Sequence, residues 1–532
     1  MAFQTIVYRS PLATYARSIR NAPRQVICNG NLVFTALILA LSAVPLTWDQ
    51  GSSSVISLLP GFQHHFGISS GTTPSDIKTF VSIVYIGYAI GAVLSFFIND
   101  RIGRLWSYRL YIFVWIVGQI TAALAPSLTG LWASRIVSGM GLGSLSVIGP
   151  MTLVEIAPSE TRGLLTSWFV VAMAISSFTA IFCVYGVYLH LPPSNLQFQI
   201  VWFAPAIFMF LCAISSFFIC ESPRWLLMVN RREEAVKALV RLRGLPIDHP
   251  RVLAELSEIE TALEQTGTRS SNILVLLRAM FTVRSNLRRL QLSLISYAFA
   301  QLSGANSITS YFVPIMKLLG VGGGNVESMF LSGMYSFSKL WFLLFASFFL
   351  VDGLGRRRSL FLGITVQMLS HIYIAVFIKY VQQGPVSNRA SQAAIAAVFI
   401  HAFGYAVGLF ILPYVFGGEL WPNRLRTLGG ALGQTFHWLF IYAMSYSLPE
   451  LLASTNNWGA FLFFAGFCFL ALVYVFFMVP DTTGISVEQI DEIFNRSWFT
   501  AYKHTNRLGN VEGVEDIPNE TSRIETRIAD KE

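Results

Sequence analysis

The sequence predicts an all-α integral membrane protein with twelve transmembrane helices in two six-helix halves, joined by a cytoplasmic helical segment. Composition, the spacing of apolar runs and a motif that returns after half the chain predict it. The 532 residues are 54% hydrophobic and 12% charged, with a mean hydropathy of +0.57. A water-soluble protein with a polar shell does not sustain such values. They exclude a collagen, a coiled coil, a disordered scaffold and a secreted disulfide mini-protein.

A helix crossing a bilayer needs about 20 apolar residues. Windows of that kind lie near 31–50, 79–98, 108–127, 131–152, 164–189 and 200–220, and again near 291–316, 328–351, 359–379, 393–417, 428–449 and 457–479. The predicted organisation is an N-terminal tail (1–30), a first six-helix half (31–220), a polar segment (221–290), a second half (291–480) and a C-terminal tail (481–532). The first apolar run keeps Asp49 and has no small-residue cleavage site after it, so it reads as a retained span rather than a signal peptide. In 221–290, Ser222-Pro223 is a helix-start signal, and Glu255, Glu258, Glu260 and Glu264 alternate with Leu256, Ile259 and Leu263 at amphipathic spacing.

Twelve spans put both termini and the 221–290 segment on one side. Of the 37 Lys and Arg residues, 31 fall there, so by the positive-inside rule that side is cytoplasmic. The net charge of +9 is thereby an orientation signal, and a nucleic-acid partner is not expected. Asn495-Arg496-Ser497 and Asn519-Glu520-Thr521 match the glycosylation pattern but fall on the cytoplasmic side. The five cysteines show no metal-binding spacing and read as packing thiols.

Asp100-Arg101-Ile102-Gly103-Arg104 recurs 252 positions later as Asp352-Gly353-Leu354-Gly355-Arg356, followed by Arg357. Glu155 with Arg162 returns 264 positions later as Glu419 with Arg426, and Glu221-Ser222-Pro223-Arg224 has a fainter echo in Pro480-Asp481-Thr482-Thr483-Gly484. Three landmarks in one order mean two halves of the same topology, the parallel-repeat plan of major facilitator transporters. Acidic residues beside arginines at cytoplasmic helix ends suit charge-assisted clamps that gate the inner side. The plainer alternative is that the arginines only anchor helices at the interface.

These residues resemble the sugar porter family of the major facilitator superfamily. The resemblance runs through Arg135-Ile136-Val137-Ser138-Gly139-Met140-Gly141-Leu142-Gly143, Glu155-Ile156-Ala157-Pro158 to Arg162-Gly163, Glu221-Ser222-Pro223-Arg224-Trp225-Leu226, Gln301-Leu302-Ser303-Gly304-Ala305-Asn306 and Gly355-Arg356-Arg357. The placement of Lys339 and the stretch Leu245-Pro246-Ile247-Asp248-His249 further resemble the fungal quinate-permease-like subgroup. Leu105 departs from the pattern, which usually has a second arginine there. The resemblance implies the major facilitator fold and secondary transport of a small solute by alternating access. It also implies the proton gradient as driving force with no cofactor and no metal, a lipid bilayer (most simply the plasma membrane) as setting, and a monomer.

Ionisable groups inside a membrane are functional candidates, because each costs several kcal/mol, roughly, unless paired or hydrated. Asp49, Arg135 and Lys339 are of this kind. In proton-coupled sugar porters an Asp and an Arg at the places of Asp49 and Arg135 form the protonation site, so the resemblance implies proton symport; a static ion pair is the alternative. Lys339 reads either as an anchor for a carboxylate solute or as a structural cation. The family lines its solute site with amides and an aromatic residue, and here Gln301, Asn306 and Trp438 match. Tyr414 and His437 replace a tryptophan and an asparagine, and Val170, Ala300 and Leu340 stand where amides are usual. A site built for sugar hydroxyls loses strongly when its amides vanish. The expected solute is therefore a sugar or, better suited to these residues, a quinate-like or aromatic hydroxy acid.

Gly139-x3-Gly143, Gly404-x3-Gly408 and Gly429-x3-Gly433 are expected to permit close helix packing. With no G-x4-G-K-[ST] loop and no clustered acid, base or metal set, neither a primary pump nor a membrane enzyme is expected. A proton-driven exporter, or a non-transporting nutrient sensor on the same fold, stays open.

Overall fold

The computed structural model describes residues 24–68, 74–158, 161–266, 273–320, 324–350, 354, 356–410, 421, 425–480 and 494. Eight of the described helices are long and apolar enough to cross a membrane. They are Gln25–Leu58 (span one), Asp76–Ile102 (two), Leu128–Ile156 (four), Leu164–His190 (five), Leu196–Phe218 (six), Arg356–Gln383 (nine), Asn388–Phe410 (ten) and Trp458–Met478 (twelve). Four more long helices complete the predicted order: Arg104–Ala123 (span three), Arg284–Leu302 with its continuation (seven), Gly324–Phe345 (eight) and Arg426–Ser454 (eleven). These four are less apolar because they carry Arg104, Arg109 and Gln119, then Arg288, Arg289 and Gln301, then Lys339, then Gln434 and His437.

The first span of each half is broken, and a proline explains each break. In span one the helix Gly30–Ala40 passes through a tight turn, Leu41–Ala43, into Val44–Ser53, with Pro45 in the first turn of the new segment. In span seven Arg284–Leu302 gives way at Gly304 (φ 76°) to Ala305–Ser310, then to Phe312–Leu318, whose first turn contains Pro314. Proline has no N–H for the carbonyl four residues back, and only glycine takes a positive φ cheaply. Broken helices at equivalent places in two repeats are where transporters of this plan build their sites. Asp49 follows the first break; Gln301 and Asn306 flank the second.

Spans two and four approach through glycine. A Cβ at Gly143 would lie 1.9 Å from the Tyr88 carbonyl oxygen, and one at Gly91 would lie 2.0 Å from that of Met140. In the second half Gly363 meets Gly404 and Gly408, linking spans nine and ten. Gly433 is looser, with nothing nearer than 3.4 Å.

The linking segment forms four short helices, Pro223–Met228, Arg232–Arg243, Pro250–Thr266 and Ile273–Thr282. Trp225, Leu226, Leu239, Leu242, Val252 and Leu256 join the core of the first half. Arg243, 1% exposed, donates to the Ile156 carbonyl (2.9 Å) and ion-pairs with Glu255 (2.5 Å), fastening the segment beneath span four. The end of the molecule carrying these helices is the loop side; the other end is the far side.

Candidate functional site

Asp49 and Arg135 meet inside the first half. They come from spans one and four, are 3% and 1% exposed, and form a buried ion pair. The guanidinium has other partners: it donates to Ser53 Oγ (3.0 Å) and the Phe80 carbonyl (3.2 Å) and lies 4.6 Å from the Phe80 ring centre. Arg135 is therefore held whether or not Asp49 is charged. A buried pair with its remaining donors satisfied tolerates burial; losing one partner leaves a costly unpaired charge.

A second polar chain lies at the break in span seven. Asn306 donates to Gln301 Oε1 (2.6 Å), and the Gln301 amide nitrogen faces His437 Nδ1 at 3.4 Å. That order makes Nδ1 the acceptor and puts the imidazole proton on Nε2. The His437 ring packs on Tyr297 and Trp438, with centroids 4.6 and 4.9 Å away. Trp438 in turn packs on Tyr88 (4.3 Å) and lies parallel to Tyr85 (6.2 Å, 7°), both on span two of the other half. Two buried atoms here have no partner among the described residues: the Trp438 indole N–H, a donor, and Gln434 Oε1, an acceptor. Buried polar groups are almost always satisfied, so an orphan donor and acceptor beside an amide chain fit a polar solute.

Lys339, on span eight, donates to Thr309 Oγ1 (3.1 Å) and lies 5.5 Å from the Tyr335 ring centre. It joins no ion pair among the described residues. Thr309 is one turn beyond Asn306 on the same short helix, so the ammonium stands beside the amide chain. Tyr414 lies outside the described residues.

The loop-side charges form one tight network. Arg104 binds Glu155 through two nitrogens (3.0 and 2.9 Å), Asp100 (2.7 Å) and the Asn99 carbonyl (3.1 Å). Glu221 accepts from the backbone N–H groups of Arg104 (3.1 Å), Leu105 (3.1 Å) and Ser222 (2.9 Å), capping span three, where a helix N-terminus favours negative charge. Burial raises the Glu221 carboxyl above its ordinary range, and these N–H groups and Arg104 oppose that rise. Gly103 is needed at the corner: its φ is 96°, and a Cβ would lie 2.8 Å from the Glu221 carboxylate. Arg224 lies within the field of Glu155. These groups all belong to the first half and the start of the linking segment. Arg101 and Arg162 are exposed and join no ion pair among the described residues. In the second half Arg357 donates to the Phe476 carbonyl (2.7 Å), and Arg356 opens span nine. Asp352, Gly355 and Glu419 lie outside the described residues, as does the side chain of Arg426.

The halves also meet on the far side. Lys78 of span two ion-pairs with Glu450 of span eleven, and its ammonium lies 4.5 Å from the Tyr446 ring centre. Phe178 and Phe182 of span five pack on Phe337 (5.7 Å) and Phe330 (6.2 Å) of span eight. Val313 and Met329 from the second half are buried in the far-side cluster of the first, with Phe62 and Phe80.

Sequence reading missed Gln434, Tyr85 and the Lys78/Glu450 pair. Gln434 precedes His437 by three residues, the spacing that puts two helical residues on one face, and this is the signal that finds it. Tyr85 and Tyr88 share the same spacing but sit in an apolar run where tyrosine is ordinary.

Two broken-helix halves around buried ions and an amide pocket define a secondary transporter of the major facilitator fold. The chain belongs to the sugar (and other) transporter family, whose sequence model matches residues 35–494. It is 29% identical to a probable quinate permease of Aspergillus fumigatus over 493 residues, 89% of each chain, and 28% identical to a quinate permease of Emericella nidulans over 487 residues, 90% of this chain and 91% of the other. Among solved structures it is similar to the proton:xylose symporter XylE bound to 6-bromo-6-deoxy-D-glucose (TM-score 0.73, 20% identity, 87% of this chain and 99% of that one). It is also similar to the inward-open xylose transporter XylE from E. coli (TM-score 0.68, 19% identity, 86% and 98%).

Proposed function

We propose that the protein is a proton-coupled symporter that carries a small hydroxylated carboxylic acid of the quinate type by alternating access. The buried Asp49/Arg135 pair carries the proton-coupling reading. A carboxylate beside a guanidinium stays ionised; if the two separate in another conformation, its proton affinity rises and proton uptake becomes tied to the conformational cycle. Arg135 has its own anchors in Ser53 and the Phe80 carbonyl, so Asp49 is free to be the member that lets go.

The solute class follows from the pocket. Gln301 and Asn306 suit hydroxyls, Trp438 and His437 offer a flat apolar wall, and Lys339 has two N–H groups to give a carboxylate. The relatives named quinate permeases support the same class. The residues 31–220 and 291–480 act as the two moving halves, with 221–290 and both tails on the cytoplasmic side and the plasma membrane as setting. A single chain supplies the whole site, which suits a monomer, and the proton gradient drives the cycle without a cofactor. Acidic residues and arginines of the repeated loops, including Asp100, Asp352, Glu419 and Arg426, serve the loop-side gate. Uptake of quinate, shikimate, benzoate, xylose and glucose at pH 5 and pH 7 in a transporter-deficient cell tests this reading. Acid uptake that rises at low pH supports it. Hexose uptake independent of pH overturns it.

A further inference from the structure

We propose that His371 of span nine is a positioning residue for the solute pocket: through the Ser303 carbonyl it sets the bend across which Gln301 and Asn306 meet. The proposal rests on the reading of that amide pair as part of the solute site.

The pair straddles the break in span seven. Gln301 lies in the last turn of Arg284–Leu302 and Asn306 in the first turn of Ala305–Ser310. The 2.6 Å bond from Asn306 to Gln301 Oε1 therefore closes over Ser303 and Gly304. Gly304 has a φ of 76°, and glycine opposes a change of bend less than any other residue. The relative aim of the two amides is thus set by whatever holds Ser303 and Gly304 from outside the helix.

Three buried polar side chains hold them. His371 Nε2 lies 2.8 Å from the Ser303 carbonyl oxygen; a carbonyl only accepts, so the ring carries a proton on Nε2 and donates it. Its other nitrogen has no partner among the described residues, so the bonding of this ring is aimed at Ser303. His401 of span ten places Nε2 3.1 Å from the same oxygen and 3.2 Å from the Gln367 amide nitrogen. It backs His371 either by donating to the carbonyl or by accepting from the amide. Gln367, one turn before His371, donates to Ser303 Oγ (3.2 Å), whose own hydrogen goes to the Ala300 carbonyl (2.8 Å). Phe464 of span twelve packs on the His371 ring at 5.4 Å. A Cβ at Gly304 would lie 2.8 Å from a Phe464 ring carbon and 3.2 Å from the His371 ring.

Burying an imidazole among Ile374, Phe461 and Phe464 is costly unless it is hydrogen-bonded, and here its partner is the backbone of the break itself. Without that bond the Ser303 carbonyl is freed to turn and the two amides part, so a solute hydroxyl meets one amide instead of two. The Asp49/Arg135 pair lies in the other half and is untouched.

Equilibrium binding of radiolabelled quinate to the purified full chain tests this. His371→Phe should raise the Kd about tenfold, the scale of one lost hydrogen bond. His371→Gln, whose amide N–H takes the place of Nε2–H, should stay within about twofold of the wild type. In a Gln301→Ala background, where no amide pair is left to align, His371→Phe should change the Kd by less than about threefold. Melting temperature checks that each variant folds. Should His371→Phe fail to fold, His371→Asn replaces it, keeping a polar group near Nδ1 and lacking the Nε2 donor. A wild-type Kd in the folded variant overturns the proposal. So does a His371→Gln as weak as His371→Phe, or a loss as large with Gln301→Ala as without it, since both mark an effect on the fold at large. Quinate binding by Gln301→Ala as tight as that of the wild type instead overturns the reading of the solute site on which the proposal rests.

Discussion

Replacing Arg104 by methionine removes the centre of the loop-side network and leaves Glu155 buried without its partner. Both side chains are nearly closed to solvent, at 5% and 8%. Deleting one member of a buried pair costs about 3–5 kcal/mol. The bond to Asp100 adds little, since that carboxylate is 44% exposed and exposed pairs contribute about 0–1 kcal/mol. Protonation of Glu155 limits the loss, so about 3 kcal/mol is the expected cost. For a cooperative unit the size of the first half, 1 kcal/mol moves the midpoint by roughly 2–4 °C, which predicts a fall of about 6–12 °C. Melting in detergent, followed by the monodisperse fraction after heating, measures it. Arg104→Met with Glu155→Leu should recover most of the loss, because an apolar pair of similar volume replaces a buried ion pair at little cost. Arg104→Met melting within about 2 °C of the wild type, or a double variant as unstable as the sum of the singles, refutes the reasoning.

Lys339→Met should raise the KM for a carboxylate solute about 10- to 100-fold, by loss of a charge-assisted hydrogen bond, while leaving a neutral polyol analogue of the solute unaffected; uptake kinetics with the two probes measures the difference. Gly143→Ala should abolish folded protein, since its methyl would lie 1.9 Å from the Tyr88 carbonyl oxygen, whereas Gly430→Ala meets nothing within 4 Å and should express normally. Comparing membrane yields decides that. Lys78→Met should loosen the far side only modestly, up to about fivefold in labelling of a cysteine placed at Asn306 by a membrane-impermeant thiol reagent, because Glu450 is 71% exposed and exposed pairs are weak.

The architecture was legible because the hydrophobic effect writes it locally: twelve apolar runs, loop arginines on one side and a motif returning after half the chain. Asp49 and Arg135 were legible as a pair of candidates for a related reason, since charges in apolar runs are rare. The breaks at Pro45 and Pro314 could have been read from the chain, and they place Asp49 and the Gln301/Asn306 pair at helix interruptions. Tyr85 and Gln434 were hidden because their residue types are common in packed helices and their meaning lies in what they face. The Lys78/Glu450 bridge joins residues 372 positions apart, and no local pattern announces such a partner. The repeated acidic residues and arginines at cytoplasmic helix ends read, from their spacing, as clamps between the halves. The described bonds of Arg104 and Glu155 lie within the first half, and those of Glu221 tie that half to the linking segment, a distinction that only three-dimensional placement supplies.

Uptake driven by a pH gradient in proteoliposomes, compared between the wild type and Asp49→Asn, addresses the central claim most directly. With quinate inside and outside, an imposed acidic exterior should drive several-fold accumulation by the wild type, accompanied by proton entry. Asp49→Asn should equilibrate or exchange the solute without accumulating it. Accumulation by Asp49→Asn equal to that of the wild type, with proton entry intact, would contradict the account.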